Sequence, residues 1–289
     1  MVILAVLITC YNRKDKTLGC LQSLFAQRDL NIKFQIKVFL VDDGSSDGTS
    51  AAIGLAFPEV RILKGTGNLF WNRGMYLAWK TAAESRCFDH YLWLNDDTFL
   101  FENAISTTLN CASETKEESI ICGTTLDPTL QFSTYGGYLI NQNKIMNPTG
   151  QLEKCDFFNG NFVLVPEKVF EEVGNLDPIF HHALGDIDYG LRARKKKIKS
   201  YISTSYIGTC DGHDFLPSWC SPQVSLRNRL INLYSSSCYT HPFQFFRFEK
   251  RHYGLGNAVL HFFSIHVRAI LPGIWVKKDD SIGRENTSL

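Results

Sequence analysis

The sequence has no CxxC pair, no internal repeat, no low-complexity linker and no run of about 20 uninterrupted apolar residues. The missing apolar run predicts no transmembrane helix. The missing CxxC pair, with no Cys/His cluster at finger spacing, argues against a structural zinc site. An excess of charge of either sign is also lacking: Lys+Arg 30 against Asp+Glu 29 gives a net charge of +1, which speaks against a globally basic nucleic-acid binder. The 9 Cys, an odd number scattered from Cys10 to Cys238, fit reduced and mostly buried thiols of a cytosolic protein. What is present is a chain of 289 residues, 44% hydrophobic and 13% aromatic, with 21 Phe. That composition excludes a disordered, collagen-like or coiled-coil protein and suffices for one large core or two fused smaller ones.

The beginning, Met1 to Cys10, could be mistaken for a signal peptide. It has no positive n-region and no A-x-A site, and Tyr11-Asn12-Arg13-Lys14 follows at once, so it reads as a buried first strand. Val2–Ile8 is the continuous aliphatic run of a strand covered on both faces. Leu18, Leu21, Leu24 and Phe25 have helical spacing within 16–27. Strands are expected at 36–41, 60–63 and 91–94, and helices at 50–56 and 73–84. This alternation predicts a parallel, doubly wound sheet with ligands at the carboxyl ends of its strands. Beyond residue 100 the rhythm changes. A helix is expected at 103–113, a short strand at 119–123 and a hairpin or edge strand at 134–145. One strand is expected at 157–165, with Pro166 opening a helix at 167–173. A helix at 186–196 and a late strand at 199–208 follow, and from 225 onward the chain reads as mainly helical.

Polar clusters close the expected strands: Thr9-Cys10-Tyr11-Asn12-Arg13, Asp42-Asp43-Gly44-Ser45, and Asn95-Asp96-Asp97. Carboxylates on such an edge suit a ribose hydroxyl or a divalent cation better than a bare phosphate, which they repel. Each cluster also has a plainer reading. Asp43 to Gly48 begins like a calcium loop but has Gly54 where that loop needs Glu. Ser-Ser-Asp-Gly is a common turn, and Asn95-Asp96-Asp97 suits a helix cap. Lys64 to Gly74 is a Gly-rich loop feeding a helix, but it is neither a Walker loop nor G-x-G-x-x-G, so ATP and NAD are not indicated.

Taken in order, Thr9-x-Tyr11-Asn12-Arg13, Val41-Asp42-Asp43-Gly44-Ser45-Ser46-Asp47-Gly48-Thr49 and Asn95-Asp96-Asp97 resemble glycosyltransferase family 2. Asn159-Gly160-Asn161 to Pro166, Phe170 to Asp177, and Gly185-Asp186-Ile187-Asp188 to Arg194 extend the resemblance into that family's acceptor-side half. It covers roughly residues 1 to 235, and the pattern is similar to bacterial O-antigen or capsule enzymes, rhamnosyltransferase-like members included. The resemblance implies a GT-A fold, an α/β Rossmann-like doubly wound sheet in a single fused domain with a C-terminal helical extension. Residues 1–100 would form the nucleotide-sugar half, 101–225 the acceptor and catalytic half, and 226–289 the extension.

The same resemblance implies roles. Thr9, Tyr11, Asn12 and Arg13 line the base and phosphate side of a nucleotide donor, and Asp42 or Asp43 contacts base and ribose. Asn68, Asn72 and Arg73, around the family's N-x-G element, face the donor, as does Asp96. Asp97 matches the metal-holding Asp of D-x-D, with Asn95 in place of the first Asp, so Mg or Mn dependence is expected. His213 follows the late strand where related enzymes face the metal or diphosphate. Asp186 occupies the general-base position of E-D-x-D, with Gly185 in place of Glu; inverting transfer needs one carboxylate to take the acceptor hydroxyl's proton. Asp186 and Asp188 also suit the positive end of a helix, and both readings can hold. Asn159, Gly160 and Asp188 fall on the acceptor side. Trp71 either stacks on a base or sugar or packs in the core.

From Phe243 to Trp275 bulky apolar residues crowd together, interleaved with Arg247, Lys250, Arg251, His252, Arg268, Lys277 and Lys278. That pattern suits a membrane surface or a second copy of the chain, and otherwise a helical pair packed on the catalytic domain. The tail from Asp279 is polar; its Asn286-Thr287-Ser288 matches a glycosylation sequon, without meaning in a cytosolic protein. The expectation is a metal-dependent inverting glycosyltransferase, moving hexose or rhamnose from a dTDP-rhamnose or UDP-sugar donor to a glycan or lipid-linked glycan. It would act in the cytoplasm, peripheral to the inner membrane, with no nucleic-acid partner. The rival is a non-catalytic nucleotide- or sugar-binding protein on the same scaffold. A sugar-nucleotide pyrophosphorylase would need a Gly-rich basic loop after the first strand, which Thr9 to Arg13 is not.

Overall fold

The computed structural model describes residues 1–29, 32–140, 142–212 and 217–273. His213, Trp275, Lys277, Lys278 and the tail with its sequon lie outside the described residues. The chain divides into two compact units. One takes in Met1–His181 and Gly185–His213, the other His182–Leu184 and the chain from Asp214 onward.

The first unit begins with β1 (Val2–Cys10), α1 (Lys14–Phe25), β2 (Phe34–Asp42), α2 (Thr49–Ala56), β3 (Arg61–Lys64), α3 (Phe70–Ser85) and β4 (His90–Leu94). It continues with β5 (Phe99–Leu100), α4 (Ala104–Glu114), β6 (Ser119–Leu126), β7 (Ser133–Tyr135), β8 (Gly137–Leu139) and β9 (Gln142–Ile145). It closes with β10 (Glu153–Cys155), β11 (Phe157–Phe158), β12 (Phe162–Pro166), α5 (Glu167–Val173), α6 (Gly185–Lys195) and β13 (Lys199–Thr209).

The main sheet runs β10-β13-β6-β12-β4-β1-β2-β3, with β5 on β13 and β7 on β6. β3, β2, β1 and β4 are mutually parallel, and β6 runs parallel to β13. β12 is antiparallel to both of its neighbours, β4 and β6. The carboxyl ends of β1, β2, β4, β6 and β13 therefore share one edge with the amino end of β12, where Phe162 pairs with Leu94. β1 has β2 on one side and β4 on the other, a reversal of strand order that opens a crevice at this edge.

The period-two alternation of a doubly covered strand is explicit in β1. Leu4, Val6 and Ile8 pack with Leu21 and Leu24 of α1 and Leu109 of α4. Ala5 and Leu7 pack on the other face with Met75 and Trp79 of α3 and Tyr189 of α6.

The fold follows the sequence expectation of an α/β sheet with C-terminal helices, and two stretches differ in detail. The expected strand 157–165 is broken at Asn159–Asn161: β11 joins a separate three-stranded sheet, β11-β8-β9, while β12 returns to the main one. At the break the backbone of Gly160 passes so close to Trp71 and Asp186 that a Cβ would overlap the indole. The stretch 134–145, expected as a hairpin or edge strand, is an antiparallel β8–β9 hairpin in the smaller sheet, preceded by β7 on the main one.

The second unit, taken by itself, contains a 3-10 turn at Ser218–Cys220 and the helices α7 (Leu226–Leu233), α8 (Pro242–His252) and α9 (Leu255–Ile270). Its small core joins Trp219, Cys220, Leu233, Ile265 and Ala269. Arg229 is buried and donates to the Ala269 and Val224 carbonyls, each at 2.7 Å, tying the end of α9 to the start of α7. Gly254, at φ 94, makes the corner between α8 and α9.

Candidate active site

Arg13 follows β1 and the Asn95-Asp96-Asp97 turn follows β4, so the strand-order reversal sets them side by side. Arg13 Nη1 donates to Asp97 Oδ2 at 2.7 Å and to Asp96 Oδ1 at 3.4 Å. Thr17, one turn into α1, donates to Asp96 Oδ2 at 3.2 Å. Cys210, at the end of β13, points its thiol at Asp97 Oδ1 at 3.6 Å, and Asn161 Nδ2 lies 3.5 Å from the same sulfur. Both carboxylates are buried. Burial, and then the charge of Asp97, push Asp96 up to about 6. Burial likewise pushes the Cys210 thiol up to about 12, so it stays a neutral donor.

Asn95, which stands where the resemblance expects a carboxylate, accepts from the Trp71 indole: Nε1 to Oδ1, 2.7 Å. The far edge of the same indole stands over Gly160. Gly160 N in turn donates to Asp186 Oδ2 at 2.9 Å, and Ile187 N donates to Asp186 Oδ1 at 2.8 Å. Asp186 is thus a partly exposed carboxylate in the first turn of α6, held by two backbone amides. Burial raises its pKa above the ordinary carboxylate value, and the two amides partly offset that. Trp71 physically links the Asp97 turn to Asp186. The sequence left its role open between ligand and core; here the half-buried indole packs against the core beside Trp93 while its nitrogen bonds to Asn95.

Other expected site residues are turned inward. Asp43 is buried and accepts from the amides of Gly67 (2.8 Å), Leu69 (2.8 Å) and Phe70 (2.9 Å). It caps α3 from across the sheet edge, which is why that helix starts at Phe70 rather than at Arg73. Asp42 accepts from Ser45 N at 2.8 Å and from the Ser50 hydroxyl, closing the Ser-Ser-Asp-Gly turn. Asn72 is fully buried and donates to the Asp177 and Phe180 carbonyls, each at 2.8 Å, and Arg73 Nε donates to the Pro178 carbonyl at 2.8 Å. Asp188 is fully buried and accepts from Arg192 Nε at 2.8 Å, while Arg192 also holds the Val173 and Asn175 carbonyls, each at 2.9 Å. These bonds brace α6 against the loop after α5. Thr9 is buried against Gly74, the close approach of β1 and α3 that the N-x-G glycine permits.

Tyr11, Asn12 and Asn68 are exposed. Asn12, at φ 50, stitches two loops together: its amide donates to Ser45 Oγ (2.9 Å) and its Oδ1 accepts from Ser46 N (2.8 Å). Asn159 N donates to the Gly136 carbonyl at 3.0 Å. Sequence position alone identified none of the inward partners, because most of them are backbone amides and carbonyls of distant loops.

Among the described residues no three His, Cys, Asp or Glu side chains converge into a cation cage. What the crevice does hold is surplus negative charge, two buried carboxylates sharing one guanidinium. That donor set fits a hard divalent cation that completes its shell with diphosphate oxygens and water. It does not fit an all-protein cage.

The chain's residues 5–174 match the family model described as Glycosyl transferase family 2. Comparison with curated proteins gives no match. Among solved structures, the chain is similar in fold to S. aureus TarS, at a TM-score of 0.50 and 12% identity over 88% of this chain. It spans 44% of the length of that protein. A TarS 1-349 structure gives a TM-score of 0.50 at 11% identity, covering 91% of this chain and 72% of that one. The same fragment in complex with UDP gives 0.51 at 12% identity, covering 86% and 71%. The family model covers more than half of the chain. The chain belongs to glycosyl transferase family 2.

Proposed function

We propose that this chain is an inverting glycosyltransferase that moves a hexosyl or rhamnosyl group from a nucleotide-diphosphate donor to a hydroxyl of a glycan or lipid-linked glycan. The observation that carries the reading is Asp186, partly exposed, held by the Gly160 and Ile187 amides, and joined through Trp71 to the Arg13–Asp97 turn.

In this reading residues 1–100 bind the donor, 101–225 supply the acceptor side and the base, and 226–289 form an extension. Arg13, partly exposed beside the crevice, presents positive charge to the diphosphate. Tyr11, Asn12 and Asn68 are exposed on the donor side, while Asp42, Asp43, Asn72 and Arg73 hold the loops that shape it. Asp97 is the carboxylate that would hold Mg or Mn, with His213 beyond β13 as a second expected ligand; the chemistry such an ion supplies is neutralising the leaving diphosphate.

Asp186 accepts the acceptor hydroxyl's proton as that oxygen bonds to the anomeric carbon. The bond from that carbon to the diphosphate oxygen breaks with inversion, its electron pair leaving on the diphosphate. Asn159 and Gly160 place the acceptor opposite the donor, and Asp188 keeps α6 seated so that Asp186 stays in line. A bacterial cell-surface polysaccharide pathway, acting from the cytoplasmic side, fits this chemistry. UDP in the TarS 1-349 complex supports a nucleotide-sugar donor. dTDP-rhamnose and UDP-sugars are the first donors to test.

Thermal-shift screening of nucleotide sugars with and without Mn, followed by product analysis on the donor that stabilises the fold, tests the reading. Stabilisation by a nucleotide sugar together with turnover that Asp97→Ala abolishes supports it. Stabilisation with neither transfer nor donor hydrolysis would instead support a non-catalytic sugar-nucleotide binder.

A further inference from the structure

The second unit carries a surface that donor chemistry does not use. Along α9, Leu255, Val259, Leu260, Phe263, Val267 and Ile270 are all exposed, Phe263 at 64% and Leu260 at 63%. At 100° per residue these six fill about 140° of continuous arc. Ala258, Ile265 and Ala269, on the opposite side, are buried. The helix has 16 residues, so the apolar face is about 24 Å long. No helix among the described residues is long and apolar enough to cross a membrane.

Charge selects the occupant. Between 242 and 273 the chain has four formal cations, Arg247, Lys250, Arg251 and Arg268, against one acid, Glu249. Glu249 is buried, with its carboxylate 3.1 Å from His261 Nδ1, whereas Arg247, Lys250 and Arg251 of α8 are exposed. A symmetric contact with a second copy through this hairpin would bring like charges together. An anionic lipid surface offers apolar depth to α9 and phosphate to the α8 cations.

We propose that the α8–α9 hairpin is an interfacial anchor, lying in the plane of an anionic phospholipid bilayer with the apolar face of α9 in the acyl boundary. This surface is independent of the glycosyl-transfer reading and stands or falls apart from it. The test is co-sedimentation of the full chain with vesicles of phosphatidylcholine alone and of phosphatidylcholine mixed with phosphatidylglycerol. Binding is expected to the mixed vesicles, weakening with added salt, and to fall by about tenfold or more in Leu260→Glu/Phe263→Glu with the circular dichroism spectrum unchanged. In Arg247→Glu/Lys250→Glu the preference for phosphatidylglycerol should disappear. Equal partitioning of wild type and the Leu260/Phe263 variant would overturn the proposal. So would a concentration-dependent dimer, broken by Phe263→Glu, in a chain that binds no vesicle.

Discussion

The carboxamide of Asn72 fills the space in which any side chain on residue 185 would have to stand. The family's E-D-x-D pattern has Glu at that position, and here Asn72 has taken its room. The amide of Asn72 is committed to the Asp177 and Phe180 carbonyls, so the loop leading toward α6 is pinned to the start of α3 just before the turn that carries Asp186. Gly185 is therefore the partner of Asn72, and Asp186 takes its position from both.

Replacing Gly185 by Ala should destabilise the fold by about 1–3 kcal/mol through overpacking. Gly185→Glu, which restores the family residue, should do worse. Asn72→Ala gives up its two hydrogen bonds, yet in the Asn72→Ala/Gly185→Ala double variant the loss should be smaller than the sum of the single losses. Denaturant melts of the four proteins measure this coupling.

Asp186→Asn should lower turnover by about 10²- to 10⁴-fold while the donor-induced rise in Tm stays near the wild-type value. A base at Asp186 would work deprotonated, and burial raises its pKa, so under the proposed function wild-type turnover should climb with pH through a value above the ordinary 3.8. That rising limb should be absent from the residual rate of Asp186→Asn. Steady-state rates over a pH series decide it.

Arg13 offsets part of the negative charge with which Asp96 and Asp97 would attract a cation. Arg13→Gln should make Mn bind more tightly in the absence of nucleotide, by about tenfold, and nucleotide-diphosphate more weakly. Electron paramagnetic resonance of free Mn, titrated with each protein, reads the first effect, and calorimetry reads the second. Weaker Mn binding in Arg13→Gln would show that the guanidinium does not compete with the cation.

Asp96 has a folded pKa of about 6 against an ordinary 3.8, so the folded state holds this proton more tightly than the unfolded one. Its contribution to stability therefore falls as pH rises through the interval between those values, by an amount on the order of 2–3 kcal/mol. Asp96→Asn should flatten that part of the stability curve. Chemical denaturation at pH 4, 5, 6 and 7 checks it.

Trp71→Phe removes the donor to Asn95 and also the Cζ2–Cη2 edge of the indole that stands over Gly160. The expected cost is about 1 kcal/mol in stability, with a fall in kcat that exceeds the change in KM, because the Asp97 turn and Asp186 lose their shared wall. Michaelis–Menten analysis separates the two.

The alternation of strand and helix was legible because β1, β4 and the second half of β2, from Val38 to Val41, are buried on both faces and leave unbroken apolar runs. The clusters at their ends were legible for the same reason: Arg13, Asp97 and Asp43 each stand where an apolar run stops. Which way those side chains point was not. Asp43 and Asp97 look alike in sequence, yet Asp43 is saturated by three amides from 67–70, whereas Asp97 faces Arg13. Asp188 lies two residues from Asp186 and is sealed against Arg192. The break at Asn159–Asn161 was hidden by the apolar residues on either side of it. Position along a strand can be read from hydrophobic periodicity; partners supplied by distant backbone cannot.

The antiparallel β12 has a consequence for how the crevice is put together. β1 to β4 pair within the first hundred residues and by themselves bring Arg13 to Asp97. The Leu94–Phe162 register that carries Gly160 to the same edge is a separate long-range pairing, which β1–β4 do not supply. The charge pair and the cradle of Asp186 thus depend on different strand pairings, and β12 in the middle of the sheet is what brings them to one edge.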